Sequence, residues 1–146
     1  MRILEYKNAD RSDIDAIYQM VEILVRKYED PTVTDITHAL KWCRTKIEGN
    51  YEAYTCIYAD GVKAGYYHLT EHLDLRTELD DLFVLPAFRK QGIGTEVLTK
   101  ILKETDEPVY LYVFQENVGA VSLYTKLGFN VTKIVSPTRM IMEYRK

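Results

Sequence analysis

Arg89, Lys90, Gly92 and Gly94 lie together in the stretch 89–94, directly after an apolar run, Leu82-Phe83-Val84-Leu85, that stops at Pro86. From Ile93 onward Val97, Leu98, Ile101 and Leu102 recur at helical spacing through Glu104, so the stretch reads as strand, loop and helix. Glycines at the start of a helix leave its first amide N–H groups uncovered, and those orphan donors sit at the positive end of the helix dipole. Two cations stand beside the same spot. The chemistry that suits this arrangement is the holding of a phosphate or pyrophosphate by backbone N–H groups.

Two nucleotide fingerprints fail here. Thr95-Glu96-Val97 follows Gly94, so the third glycine of the dinucleotide-binding pattern is missing, and the Gly-Lys-Ser/Thr ending of the P-loop is absent too. A third pattern, His68-Leu69-Thr70-Glu71-His72, spells the inverted zinc-protease motif. That chemistry needs a helix. The pentapeptide continues a strand pattern from Val62, and histidines four apart on a strand are ~13 Å apart, too far to share one ion. No metal is expected. Either histidine could instead line a pocket for a substrate.

The elements that would position these residues follow in order along the chain. Residues 2–6 alternate as a short strand, and Ser12 is placed to cap a helix with Asp13 and Asp15 in its first turn. Ile14, Ile17, Val21, Leu24, Val25 and Tyr28 form one apolar stripe, ending before Pro31. A second helix starts at Thr34 or Asp35, turns Ile36, Leu40, Cys43 and Ile47 inward, and ends at Gly49, with Trp42 in its packing. Residues 51–59 and 62–69 are β-rich and joined by Asp60-Gly61, which suits a type I′ hairpin turn. The run 75–85 carries Glu78, Asp80 and Asp81 before it turns apolar. After the central helix, 109–114 is apolar on both faces, as a central strand would be. Asn117 opens a last helix that Gly128 closes, and 129–135 with 140–144 make a hairpin around Ser136-Pro137-Thr138.

Size and composition bound the class. A chain of 146 residues, 47% hydrophobic and 28% charged, reads as one soluble α/β domain, 1–146, without linker or repeat. No apolar run approaches the ~20 residues of a bilayer span, and the first residues lack a signal-peptide core, so a cytoplasmic protein with no membrane partner is expected. Cys43 and Cys56 are too few for a disulfide scaffold and read as reduced thiols. A net charge of −3 argues against nucleic acid as a partner.

The element order β-α-α-β-β-β-α-β-α-β-β, with a mixed, mostly antiparallel sheet flanked by helices, resembles the GNAT family of acyl-CoA N-acyltransferases. So do two motifs in their family order. Arg89-x-x-Gly92-x-Gly94 resembles the acyl-CoA-binding motif, and Asn117-x-x-Ala120-x-x-x-Tyr124-x-x-x-Gly128-Phe129 resembles the second motif after strand 109–114. The hairpin 59–66 is also similar.

The resemblance implies an N-acetyltransferase that passes an acetyl group from acetyl-CoA to a primary amine by direct attack in a ternary complex. Arg89, Lys90, Gln91, Gly92, Ile93, Gly94 and Thr95 would hold the pyrophosphate, and the backbone of Leu82, Phe83 and Val84 would pair with the pantetheine arm like an added strand. An N–H near Val84 would steady the oxyanion. Asn117 would contact the arm, and Tyr124 would give a proton to the departing thiolate, since a phenol of pKa ~10 is protonated at neutral pH. An ammonium must lose a proton before it attacks, and Glu78, which lies where some family members carry a catalytic glutamate, is the candidate base, with ordered water as the alternative. Asp80 shares its face if the strand is regular. The acceptor implied is small and cationic, drawn by Glu78, Asp80 and Asp81, and a homodimer is left open. The first two helices would border the acceptor. The rival reading is a non-catalytic acyl-CoA-binding sensor or interaction module of the same fold.

Overall fold

The computed structural model describes residues 2–146. Its strands are β1 (Leu4–Asn8), β2 (Tyr54–Ala59), β3 (Val62–Glu71), β4 (Thr77–Val84), β5 (Val109–Phe114), β6 (Asn130–Ile134) and β7 (Arg139–Tyr144). Its helices are α1 (Ile14–Tyr28), α2 (Ile36–Glu48), α3 (Ile93–Glu104) and α4 (Val118–Lys126). The expected element order is therefore the observed one. The strands form a seven-stranded sheet in the order β1-β2-β3-β4-β5-β7-β6. β1 with β2, β5 with β7 and β6 with β7 are antiparallel, whereas β4 and β5 are parallel, as a crossover through α3 requires.

Two compact units divide the chain at Tyr66 and Tyr67, inside β3. In the first, Ile14 and Ile17 of α1 pack with Ile47, Tyr54, Cys56 and Tyr66. The start of α1 departs from the expectation that Ser12 caps it. Asp10 and Asp13 form a capping box around a 3-10 turn at Arg11–Asp13, and the Ser12 N–H donates to the Asp10 carboxylate instead. The Asp13 carboxylate is buried and accepts from Lys63 Nζ at 2.5 Å, from the Tyr66 hydroxyl at 2.9 Å and from the Cys56 thiol at 3.6 Å. Burial and the Asp13 charge push the Cys56 thiol up to about 12. Asp35 caps α2, and Gly49 ends it without a left-handed turn. Trp42 is 62% exposed and lies under the Lys46 ammonium rather than in the helix packing. Residues 51–53 are a 3-10 turn, so β2 begins at Tyr54. Asp60 and Gly61 both have positive φ, as the type I′ turn demands.

In the second unit, Val97, Leu98, Ile101 and Leu102 of α3 are buried, as are Val109 and Leu111 of β5, Phe129 and Met142. The β3–β4 turn lies two residues later than the sequence suggested, at 72–76. His72 N–H donates to the Arg76 carbonyl and Leu75 N–H to that of His72, and Leu75 takes a left-handed φ of 64°. β4 thus starts at Thr77, not at 75.

Candidate functional site

The chemistry-bearing residues of the second unit lie along β4, on the turn that leads into α3, and on α4. After β4 the chain makes a 3-10 turn at Pro86–Phe88, with Pro86 supplying the fixed φ that such a turn accepts. Lys90 and Gly92 then both take left-handed conformations, at φ 61° and 79°. A side chain at 92 would be strained there, which accounts for glycine at the cap of α3. The first intrahelical bond is Glu96 N–H to the Gly92 carbonyl, so the amides of Ile93, Gly94 and Thr95 precede the ladder. Gly94 also meets a packing demand that the sequence did not show. Its φ is not positive, and a Cβ built there would stand 3.3 Å from Leu123 Cδ2, so its small size lets α3 approach α4. Arg89 folds back, Nε donating to the Val84 carbonyl at 3.0 Å, and Gln91 Nε2 donates to the Ala87 carbonyl at 3.2 Å.

β4 and β5 register only at Thr77↔Val109 and Glu78↔Tyr110. Beyond that point β5 keeps its ladder with β7 through Phe114, while β4 no longer registers with β5. The two strands diverge. Residues 79–84, Leu82, Phe83 and Val84 among them, form the β4 side of that divergence, and they lead straight into the amide-rich turn. No sequence signal announced it, because each strand separately has an ordinary β composition.

Glu78 and Asp80 do share a face of β4, opposite the buried Thr77 and Leu79. Their side chains are 17% and 8% exposed. Burial and the neighbouring Asp80 charge raise the Glu78 carboxyl above its ordinary range. His72 Nε2 lies 2.9 Å from Glu78 Oε1, and the Tyr110 hydroxyl donates to the same oxygen at 3.2 Å. Asp80 accepts from the Thr70 hydroxyl and stands 3.1 Å from His68 Nδ1. The two histidines of the inverted zinc-protease pattern therefore face two different carboxylates. Asp81 does not join the pair. Strand alternation puts it on the side of Leu79 and Phe83, and its charge is felt at Tyr124.

Tyr124 sits on α4, which Asn117 caps through a 3.4 Å bond from the Ala120 N–H to its Oδ1. The phenol is buried, its ring 5.5 Å from that of Phe129, and burial with the Asp81 charge holds its pKa above the ordinary phenol range. Such a group stays protonated and can donate. Sequence reasoning missed Tyr110, whose hydroxyl burial and Glu78 push up to about 12. No sequence signal pointed to it, because the pairing of Glu78 with Tyr110 is set by the β4–β5 register. A cleft of ≈ 530 Å³ in the first unit, lined by Tyr18, Arg26, Leu40 and Arg44, is a groove between α1 and α2. Its guanidinium groups are already paired, Arg26 with Glu22 and Arg44 with Asp15 and Glu48.

The fold and the amide-rich turn can now be set beside known proteins. Residues 17–129 match the Acetyltransferase (GNAT) family, and the chain belongs to that family. Over 62 residues it is 39% identical to an uncharacterized N-acetyltransferase of Methanocaldococcus jannaschii, a match covering 40% of this chain. That stretch spans only 27% of the relative's length. The PaiA N-acetyltransferase from Thermoplasma acidophilum, solved in complex with coenzyme A, is similar at a TM-score of 0.74 and 20% identity, with 99% of each chain covered. The ribosomal-protein-S18-alanine N-acetyltransferase from Escherichia coli is similar at 0.66 and 21% identity, over 97% of this chain and 93% of that one. At these identities the likeness is one of fold. Among the described residues no helix is long and apolar enough to cross a membrane.

Proposed function

We propose that this chain is a single-domain N-acetyltransferase that moves the acetyl group of acetyl-CoA onto a primary amine by direct attack in a ternary complex. The observation that carries this reading is the divergence of β4 from β5 after Glu78, ending at the amides that precede the α3 ladder. An extended pantetheine arm takes the place of a strand beside Leu82, Phe83 and Val84. The amides of Ile93, Gly94 and Thr95 face the pyrophosphate, with Arg89, Lys90 and Gln91 around it and the left-handed Gly92 giving the backbone room. The substrate fits this set, which is made of backbone donors, two cations and the neutral Gln91. Asn117 spends its carbonyl oxygen on the α4 cap, which leaves its amide N–H₂ to donate to the arm.

The acceptor arrives as an ammonium, drawn to Glu78 and Asp80. Glu78, raised by burial, takes its proton, and the amine attacks the thioester carbonyl. Tyr124 donates a proton to the leaving thiolate. A covalent acetyl-cysteine route is disfavoured at Cys56, whose thiol is buried and pushed up to about 12. A small cationic amine suits the paired carboxylates, and the E. coli neighbour acts, by its name, on a protein alanine.

The test is a panel of amines with acetyl-CoA, read as release of free thiol. Cationic primary amines should be turned over, and saturating acetyl-CoA should raise Tm. Gly92→Gln, which puts a side chain onto a left-handed backbone and over the amides, should abolish that shift. If wild type shows neither thiol release nor a thermal shift, or Gly92→Gln binds equally well, the reading is wrong.

A further inference from the structure

Glu78 and Asp80 stand side by side on β4, each with its own histidine, yet the two pairs differ in one respect. The His68–Asp80 pair is sealed, its side chains 4% and 8% exposed. The His72–Glu78 pair opens outward, because the His72 side chain is 38% exposed while that of Glu78 is 17%. A buried base that has taken a proton must lose it before the next turnover. We infer that His72 is the exit for that proton, relaying it from Glu78 to solvent, while Tyr110 holds the carboxylate in place. The inference rests on the proposed acetyl transfer with Glu78 as base.

The routes can be compared group by group. Tyr110 donates to Glu78 Oε1, and as a phenol with a pKa pushed up to about 12 it keeps its own proton near neutrality, so it orients the carboxylate without carrying the proton away. Asp80 is engaged by the Thr70 hydroxyl and the buried His68, a route that ends inside the protein. Arg76 stacks over Tyr110 at 4.2 Å, is bound by Asp74 and Glu143, and stays charged throughout. His72 has one nitrogen 2.9 Å from Glu78 Oε1 and belongs to a half-exposed ring 5.7 Å from that of Tyr110. The charged groups around the Glu78–His72 pair are Asp80 and Asp74 on the negative side and Arg76 on the positive side. The turn that carries His72 is held by the bonds between residues 72 and 76 and by Leu75 in a left-handed conformation, so the ring is presented by a fixed backbone.

The proton balance closes. The acceptor R–NH₃⁺ gives one proton to the Glu78 carboxylate and becomes R–NH₂. Glu78, now a carboxylic acid, passes it to Nε2 of neutral His72, and the imidazolium releases the proton on Nδ1 to water. Glu78 returns to its carboxylate, His72 is neutral again with its tautomer exchanged, and solvent restores the starting tautomer. After attack the nitrogen of the tetrahedral intermediate gives up its second proton, which replaces the one Tyr124 gives to the thiolate, so one proton per turnover reaches solvent, and the relay itself touches no bond to carbon.

The experiment compares wild type, His72→Ala and His72→Gln with a turned-over amine at saturating acetyl-CoA, with and without added imidazole. Glutamine keeps a hydrogen-bond donor beside Glu78 but cannot relay a proton. Both variants should lose ~10–100-fold in kcat and keep the acetyl-CoA thermal shift. Free imidazole should restore His72→Ala in proportion to its concentration and leave wild type unaffected. Full activity in His72→Gln overturns the relay, and so does a slow, folded His72→Ala that ignores imidazole, since that residue would then serve the turn alone. If His72→Ala does not fold, His72→Gln decides: retained kcat overturns the relay, and a loss of kcat with unchanged Tm and acetyl-CoA shift supports it. A wild type that turns over no amine overturns the acetyl-transfer reading itself and the relay with it, an outcome separate from an active wild type with active variants.

Discussion

Replacing Tyr124 with phenylalanine separates chemistry from packing. The ring is buried and lies 5.5 Å from Phe129 at a tilt of 54°, and Phe129 in turn lies 5.7 Å from Tyr144. Phenylalanine keeps that stack, worth about 0.5–1.5 kcal/mol per pair beyond burial, and deletes only the hydroxyl. Removing a hydroxyl without opening a cavity should alter stability by no more than about 1 kcal/mol, whereas Tyr124→Ala should cost about 3–5 kcal/mol. Loss of a proton donor to the departing thiolate should lower kcat by ~10²-fold, about 2.7 kcal/mol of barrier. Because burial and Asp81 hold the phenol above its ordinary range, wild-type kcat should show no falling limb below pH ~10 from this group. Initial rates of thiol release at saturating substrates give kcat, the acetyl-CoA thermal shift reports binding, and urea unfolding gives stability. Unchanged kcat in Tyr124→Phe, with Tyr124→Ala impaired only through unfolding, would refute the role of donor and leave Tyr124 as core.

Two further variants probe the carboxylates, with opposite signs. Glu78→Gln should lower kcat/KM for amines, flatten its rise with pH and make added imidazole irrelevant, while acetyl-CoA binding is kept. Since folding raises the Glu78 carboxyl, its contribution to stability is full below the unfolded value of ~4.3 and is lost as pH rises through the folded one. Glu78→Gln should therefore melt higher than wild type at pH 8 and not at pH 4, as calorimetry can check. Asp13 behaves the other way. Burial alone would raise it, but the bonds from Lys63, the Asp10 amide and Tyr66 prevail and hold it below its ordinary range. Its stabilisation is present above the unfolded carboxylate value of ~3.9 and disappears as pH falls through the folded one. Asp13→Asn should cost about 2–3 kcal/mol at pH 7, below the usual 3–5 for a broken buried pair because Lys63 is one-third exposed, and urea unfolding measures it.

The element order was legible because each helix carries its own punctuation. Asp35, Asn117 and Gly128 mark boundaries through local backbone chemistry, and the stripe of α3 repeats at a period no strand shares. Boundaries failed where two local signals competed. Ser12 has the right type for a cap, but Asp10 and Asp13 offer the reciprocal capping box, which satisfies two donors instead of one. Trp42 failed for a different reason: hydrophobicity predicts burial only on average, and this indole lies outside the stripe of Leu40 and Ile47 that α2 buries.

The site divides along a similar line. The turn before α3 was legible because left-handed backbone selects glycine, and a selection made by the backbone leaves its mark on the residue at that position, Gly92. Gly94 shows the limit of such inference, since glycine there answers to the proximity of Leu123, a contact made by a residue far along the chain. The divergence of β4 from β5 leaves no such mark: both strands keep their composition, and only the register, set jointly by the crossover and the β5–β7 ladder, shows where they part. The same holds for the Glu78 surroundings. Alternation places Glu78 and Asp80 on one face, but whether that face holds solvated charges or half-sealed, hydrogen-bonded acids depends on Tyr110 from the parallel partner and on His68 and His72 from β3 and its turn. The difference matters to the proposed mechanism, because a solvated carboxylate would sit near its ordinary pKa and need no relay, whereas one raised by burial and by Asp80 would be a stronger base with a proton to export. His72, which the sequence offered first as half of a metal pattern, is the partly exposed ring that the proposed export would use.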